Sequence, residues 1–161
     1  MRAMRLPGRL ERMPCTTAPE VWIDGAHNGD KVGALAREFV RMSEGGPLPV
    51  IVLGVLDAKD PATIVSGLRG LASSMVITEP VVVGREALKV ERLLEAVRAS
   101  GFCGTVHVEP HPDSAVQCAR ASASSQGSSV LVTGSMYLAG QVRGRWYRDE
   151  DIVIQRTPWP S

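Results

Sequence analysis

The stretch that decides the fold is Glu20-Val21-Trp22-Ile23-Asp24-Gly25-Ala26-His27-Asn28-Gly29-Asp30, followed by the segment to Met42 and then by Val50-Ile51-Val52-Leu53. Glu20 to Asp24 reads as a strand. From Asp30 to Met42, Val32, Leu35, Ala36, Phe39 and Val40 fall at i, i+3, i+4, i+7 and i+8, the apolar face of a helix. Ser43-Glu44-Gly45-Gly46-Pro47 stops that helix. Val50 to Leu53 is an uninterrupted apolar run, as expected of a strand covered on both faces in a parallel sheet. Strand, helix, buried strand is the repeating unit of an α/β protein.

The same alternation continues outward. Asp60-Pro61 is an N-cap followed by proline at the first helical position, and the helix runs to about Arg69 with Ile64, Val65 and Leu68 inward. Met75 to Thr78 is a third strand, Glu86 to Ser100 a helix ended by Gly101, and Thr105 to Val108 a fourth strand. Asp113 to Ala123 is a helix that decays into the polar run Ser122 to Ser129. Val130 to Thr133 is a fifth strand, followed by a short helix from Met136 to Val142. The expected fold is α/β, Rossmann-like and doubly wound, with a mostly parallel sheet and helices on both faces. Residues 1–19 and 144–161 read as irregular edges.

Bulk properties narrow the function. The 161 residues are 44% hydrophobic and 22% charged, which suits one globular domain and excludes a disordered chain. The net charge of +1, from 18 basic and 17 acidic residues, argues against nucleic acid or an anionic membrane as partner. An aromatic content of 4% disfavours base-stacking modules. No apolar stretch approaches the ~20 residues of a membrane span, and Met1 to Pro7 lacks the apolar core of a secretory leader. Cys15, Cys103 and Cys118 are odd in number and have no metal-ligand spacing, so reduced thiols, a cytoplasmic location and no metal site are expected.

In a doubly wound sheet, ligands meet the carboxyl ends of the strands. Three loops there carry chemistry. Asp24-Gly25-Ala26-His27-Asn28-Gly29 gathers a carboxylate, an imidazole and a carboxamide at the approach to a helix N-terminus, which favours anions. Gly54-Val55-Leu56-Asp57-Ala58-Lys59-Asp60 sets a lysine between aspartates, and Thr133-Gly134-Ser135 joins a strand to a helix. Each also has a plain structural reading: a helix cap, a solvated ion pair and a turn respectively.

Pro7-Gly8-Arg9-Leu10-Glu11-Arg12, Ile23-Asp24-Gly25-Ala26-His27-Asn28, Gly54-x-x-Asp57-x-Lys59-Asp60, Thr78-x-Pro80 with Arg85-Glu86-Ala87, and Leu131-Val132-Thr133-Gly134-Ser135-Met136-Tyr137-Leu138 occur in that order. Together they resemble the C-terminal domain of folylpolyglutamate synthase/dihydrofolate synthase, in the Mur ligase superfamily, from about Leu6 to Val142. The resemblance implies an ATP-dependent ligase of folate biosynthesis, in which a pterin carboxylate is phosphorylated and the amino group of L-glutamate then displaces phosphate. It implies ATP contacts for Arg9 and Asp24, a catalytic place for Asp24 and for His27 near the reacting phosphate and glutamate, and a glutamate-holding role for Ser135. Lys59 and Asp60 match a segment expected to be structural. Cations and donors at such positions suit a reaction that handles anions at every step.

The departures are as informative. No Gly-x-x-x-x-Gly-Lys-Ser/Thr is present, so the ATP phosphates, Mg²⁺ and the pterin are expected to be held mainly by an N-terminal ATPase domain, supplied in cis or in trans. The whole chain, 1–161, then reads as one glutamate-ligase domain, inactive when isolated. Gly29 stands where the family often has proline, which implies a looser helix start. The alternative is a non-catalytic Rossmann-like module binding a small anion or a protein. A dinucleotide dehydrogenase is disfavoured, since no strand leads into Gly-x-Gly-x-x-Gly.

Overall fold

The computed structural model describes residues 8–147. The elements in chain order are β1 (Glu11–Arg12), β2 (Val21–Ile23), α1 (Gly29–Ser43), β3 (Val50–Leu53), α2 (Pro61–Leu68), β4 (Ser74–Ile77), α3 (Val90–Ala99), β5 (Thr105–Val108), α4 (Pro112–Gln126), β6 (Val130–Thr133) and α5 (Met136–Arg143). The sheet order is β1-β2-β6-β3-β4-β5. All neighbours are parallel except β1, which pairs antiparallel with β2 through Glu11 opposite Ile23 and Arg12 opposite Trp22. The last strand, β6, inserts between β2 and β3, so the winding reverses there and the carboxyl ends of these three strands lie side by side.

Side-chain alternation along the strands splits the core into two layers. Ile51, Leu53, Met75, Ile77 and Leu131 face Val32, Leu35 and Phe39 of α1, Ile64, Val65 and Leu68 of α2, and Val90, Leu93 and Val97 of α3. Val21, Ile23, Val50, Val52, Val76, Val130 and Val132 face Ala115, Val116, Ala119 and Ala123 of α4 together with Leu138, Ala139 and Val142 of α5. The small residues of α4 let that helix lie close on the sheet. The doubly wound sheet with helices on both faces is the expected fold.

Four features differ from the sequence reading. β1 is a strand within a segment read as irregular. α3 begins at Val90, not Glu86, because the preceding residues pair in extended form: Ala87 bridges Leu56, and the Leu88 N–H donates to the Val55 carbonyl. Backbone pairing there overrides helix propensity. α4 continues through the serine run to Gln126, because Ala119 and Ala123 keep one apolar stripe on the core, and Gly127 closes it in the left-handed region at φ 62. Val40, read as core-facing, is 58% exposed and lies off the buried stripe of α1. The residues read as an irregular edge beyond 147 lie outside the described residues.

Candidate functional site

The site is built on the three central strand ends. β2 runs out at Ile23 into Asp24, whose backbone N–H still donates to the Val132 carbonyl of β6. Asp24 then turns the chain: its Oδ1 accepts the Ala26 N–H at 2.7 Å, an Asx turn. Its Oδ2 accepts the Leu10 N–H at 2.8 Å from a segment fourteen residues earlier. Asp24 therefore fastens the loop that carries Arg9 onto the end of β2. The Gly25 N–H donates to the Gly8 carbonyl at 2.7 Å and reinforces that junction. Burial raises the Asp24 carboxyl above its ordinary value of 3.8, partly offset by those two backbone donors and the nearby charges of Arg9 and His27.

A buried ion pair holds the same loop from behind. Arg143, in the last turn of α5, donates from Nε to Glu11 Oε2 at 2.9 Å and from Nη2 to Oε1 at 3.1 Å. Both side chains are less than a tenth exposed. Glu11 Oε2 also accepts the Gly8 N–H at 2.9 Å, and the guanidinium carbon lies 4.3 Å from the Tyr147 ring centroid. Gly8 and Leu10 both have positive φ, 68 and 42. Arg9 itself is exposed, projecting from a turn pinned on either side.

His27 follows the turn. Its Nδ1 lies 2.8 Å from the Gly25 carbonyl and its Nε2 lies 3.1 Å from Lys31 Nζ. Asn28 caps α1, its Oδ1 accepting the Lys31 N–H at 3.0 Å. At Gly29 a Cβ would lie 2.5 Å from Thr63 Cγ2 of α2, so the bare backbone lets the two helices meet closely.

The third strand end is Thr133-Gly134-Ser135. Gly134 has φ 102, and a Cβ on it would lie 2.6 Å from the Gly54 carbonyl oxygen, so this turn requires glycine twice over. Its N–H donates to the Ala26 carbonyl at 3.0 Å, coupling this loop to the Asp24–Asn28 loop. Ser135 is buried, and its Oγ accepts the Tyr137 N–H as the cap of α5. Its hydroxyl proton remains available to a neighbour.

Beside Asp24 lies a cavity of about 490 Å³. Arg9, Arg12 and Lys31 bring positive charge to it and Asp24 and Glu38 negative charge, and Trp22, Leu35 and Met136 form part of its apolar wall. Cations above an apolar wall suit a ligand that joins an anionic group to a flat or apolar one. Of the residues singled out from sequence, Arg9 and Asp24 line this cavity together. His27 sits on the adjoining turn, and Ser135 lies one strand over, behind the backbone link from Gly134 to Ala26. Lys59 lies apart, and among the described residues it pairs with neither flanking aspartate: Asp57 bonds Arg92, and Asp60 caps α2 by accepting the Ala62 N–H. The structural reading of Asp60 is correct, and that of Lys59 as an ion-pair partner is not.

Lys31, Glu11 and Arg143 were not singled out. Lys31 carried a usable signal, four residues after His27 at a helix start. The pairing of Glu11 with Arg143 crosses 132 residues and had none. Among the described residues no three His, Cys, Asp or Glu side chains gather as a metal site, no helix is long and apolar enough to cross a membrane, and the three cysteines are unpaired.

Comparison with known proteins identifies the family. Residues 8–136 match the family model described as Mur ligase, glutamate ligase domain. The Mycobacterium tuberculosis dihydrofolate synthase/folylpolyglutamate synthase is 32% identical over 160 residues, covering 91% of this chain and 32% of that protein. A probable bifunctional folylpolyglutamate synthase/dihydropteroate synthase of Halobacterium salinarum is 33% identical over 148 residues, covering 92% of this chain and 17% of that protein. Among solved structures, Mycobacterium tuberculosis folylpolyglutamate synthase complexed with ADP and AMPPCP superposes with a TM-score of 0.79 at 31% identity, over 91% of this chain and 34% of that one. The Thermotoga maritima folylpolyglutamate synthase superposes at 0.76 with 24% identity over 91% of this chain and 32% of that one, a likeness of fold. The chain thus spans about a third or less of the length of these relatives. It belongs to the Mur ligase family, as a glutamate ligase domain.

Proposed function

We propose that this chain is the C-terminal, glutamate-ligase half of a folate-type, ATP-dependent amide ligase of the cytoplasm. The reaction joins L-glutamate to dihydropteroate or a reduced folate by way of an acyl phosphate. The observation that carries this reading is the clamped turn: Asp24, Gly25, Glu11 and Arg143 together hold the loop bearing Arg9 beside a cavity that Arg9, Arg12 and Lys31 line with Asp24 and Glu38. A guanidinium held this way meets a polyphosphate with little loss of side-chain freedom, and its positive charge favours the transferring group as negative charge builds on it.

Each residue then has a task. Arg9 and Lys31 would hold the nucleotide's anionic groups. Asp24 orients Arg9 through the Leu10 amide and stands beside the nucleotide. His27 faces the reacting groups from the adjoining turn, and Ser135 offers its hydroxyl proton to the incoming glutamate carboxylate. Mg²⁺ would be held mainly by the ATPase domain, which would also supply the phosphate cradle and the pterin pocket, in cis or in trans.

The test is phosphate release. The purified chain with ATP, Mg²⁺, dihydropteroate or tetrahydrofolate, and glutamate releases none. Turnover by this chain alone contradicts the reading. A chain that binds a small anion or a protein but stays inert after the ATPase domain is added would support the alternative, a non-catalytic module.

A further inference from the structure

We propose that Lys31 is a positioning residue for His27, directing the imidazole proton to Nδ1 by occupying Nε2. The assignment follows from what the two ring partners can do. An ammonium has only donors, so Lys31 Nζ at 3.1 Å requires a bare lone pair on Nε2. A carbonyl only accepts, so Gly25 O at 2.8 Å requires the proton on Nδ1. The two contacts demand the same tautomer and close off both ring nitrogens.

The backbone prepares the contact. Asn28 Oδ1 accepts the Lys31 N–H, which fixes the first turn of α1 so that the side chain at residue 31 returns over residue 27. Helix stability does not account for a lysine here. A positive charge in the first turn opposes the helix dipole, and among the described residues Lys31 makes no ion pair with a carboxylate. Its contact is the imidazole, and its ammonium also lines the cavity with Arg9 and Asp24. His27 is thereby a seat for the lysine: it presents an ammonium with two further donors toward the cavity. The functional meaning of that ammonium rests on the ligase reading; the tautomer does not.

The test uses the ligand-free chain, so its outcome is independent of any ligase activity. Long-range ¹H–¹⁵N correlation spectra report which ring nitrogen carries the proton, at a pH where the rings are neutral. The sequence has three histidines, and His27→Gln identifies the signal by its loss. In the unsubstituted chain the Nδ1–H form of His27 is the major one. In Lys31→Met the Nε2–H share of His27 rises, the Gly25 carbonyl still holding part of the population as Nδ1–H, while the backbone spectrum stays folded and thermal stability is unchanged or slightly raised. An Nε2–H major form before substitution, or an unchanged Nδ1–H share after it, overturns the proposal.

Discussion

Arg143→Met tests how the Arg9 loop is held. The substitution keeps the volume and apolar stem of the side chain and removes the guanidinium. Glu11 is then left with a carboxylate only 8% exposed and a single remaining described partner, the Gly8 amide. Removing one partner of a buried pair costs about 3–5 kcal/mol. With a urea slope of about 2 kcal/mol per molar, the midpoint falls by about 1.5–2.5 M. Glu11→Leu combined with Arg143→Met removes both charges and recovers part of this loss, the Gly8 N–H deprived of its acceptor costing about 1 kcal/mol. The assay is equilibrium urea unfolding of the three variants beside the unsubstituted chain. A loss below about 1 kcal/mol for Arg143→Met, or a double variant less stable than the single one, refutes the clamp as described.

Other outcomes follow from the same geometry. Burial raises the Asp24 carboxyl, so folding favours its protonated form; that contribution is complete below the ordinary value of 3.8 and is lost as pH rises through the folded value. The stability of the unsubstituted chain relative to Asp24→Asn therefore grows as pH is lowered from neutral toward that value, and a difference in urea midpoints that stays constant or moves in favour of Asp24→Asn as pH falls contradicts it. Gly134→Ala forces a side chain onto φ 102 and against the Gly54 carbonyl, so it costs more than about 1 kcal/mol, read as a lowered thermal midpoint. An unchanged midpoint would mean that this turn relaxes freely.

Much of the fold is legible in the sequence because each buried parallel strand is a short β-branched run and each helix has its own stripe. Val50 to Leu53 is one such run, and Ile64, Val65 and Leu68 one such stripe. Asp60-Pro61 announces α2 by cap chemistry alone. What could not be read depends on contacts distant in sequence. β1 is two residues long and exists only because β2 offers it an edge. The segment before Val90 has helical composition but pairs with Val55 and Leu56. Val40 satisfies the helical spacing yet lies off the buried stripe of Val32, Leu35 and Phe39. At the site, the loops were legible as strand-to-helix turns rich in polar and small residues. The work Asp24 does, accepting an amide from Leu10, was not, because one carboxylate can cap, turn or bind with the same sequence signature. Ser135 shows the same ambiguity: its hydroxyl caps α5 at the place where the resemblance puts glutamate.

The most direct measurement is incorporation of labelled glutamate into a pterin or folate acceptor by the separate ATPase domain of a folate-type ligase, titrated with this chain. Neither part alone forms product. Together they do so saturably, and Asp24→Ala or His27→Ala in this chain lowers the rate by about two orders of magnitude or more. Product from this chain alone, no product from a folded and associated pair, or full rates in both variants would contradict the claim that these residues form one half of a shared active site.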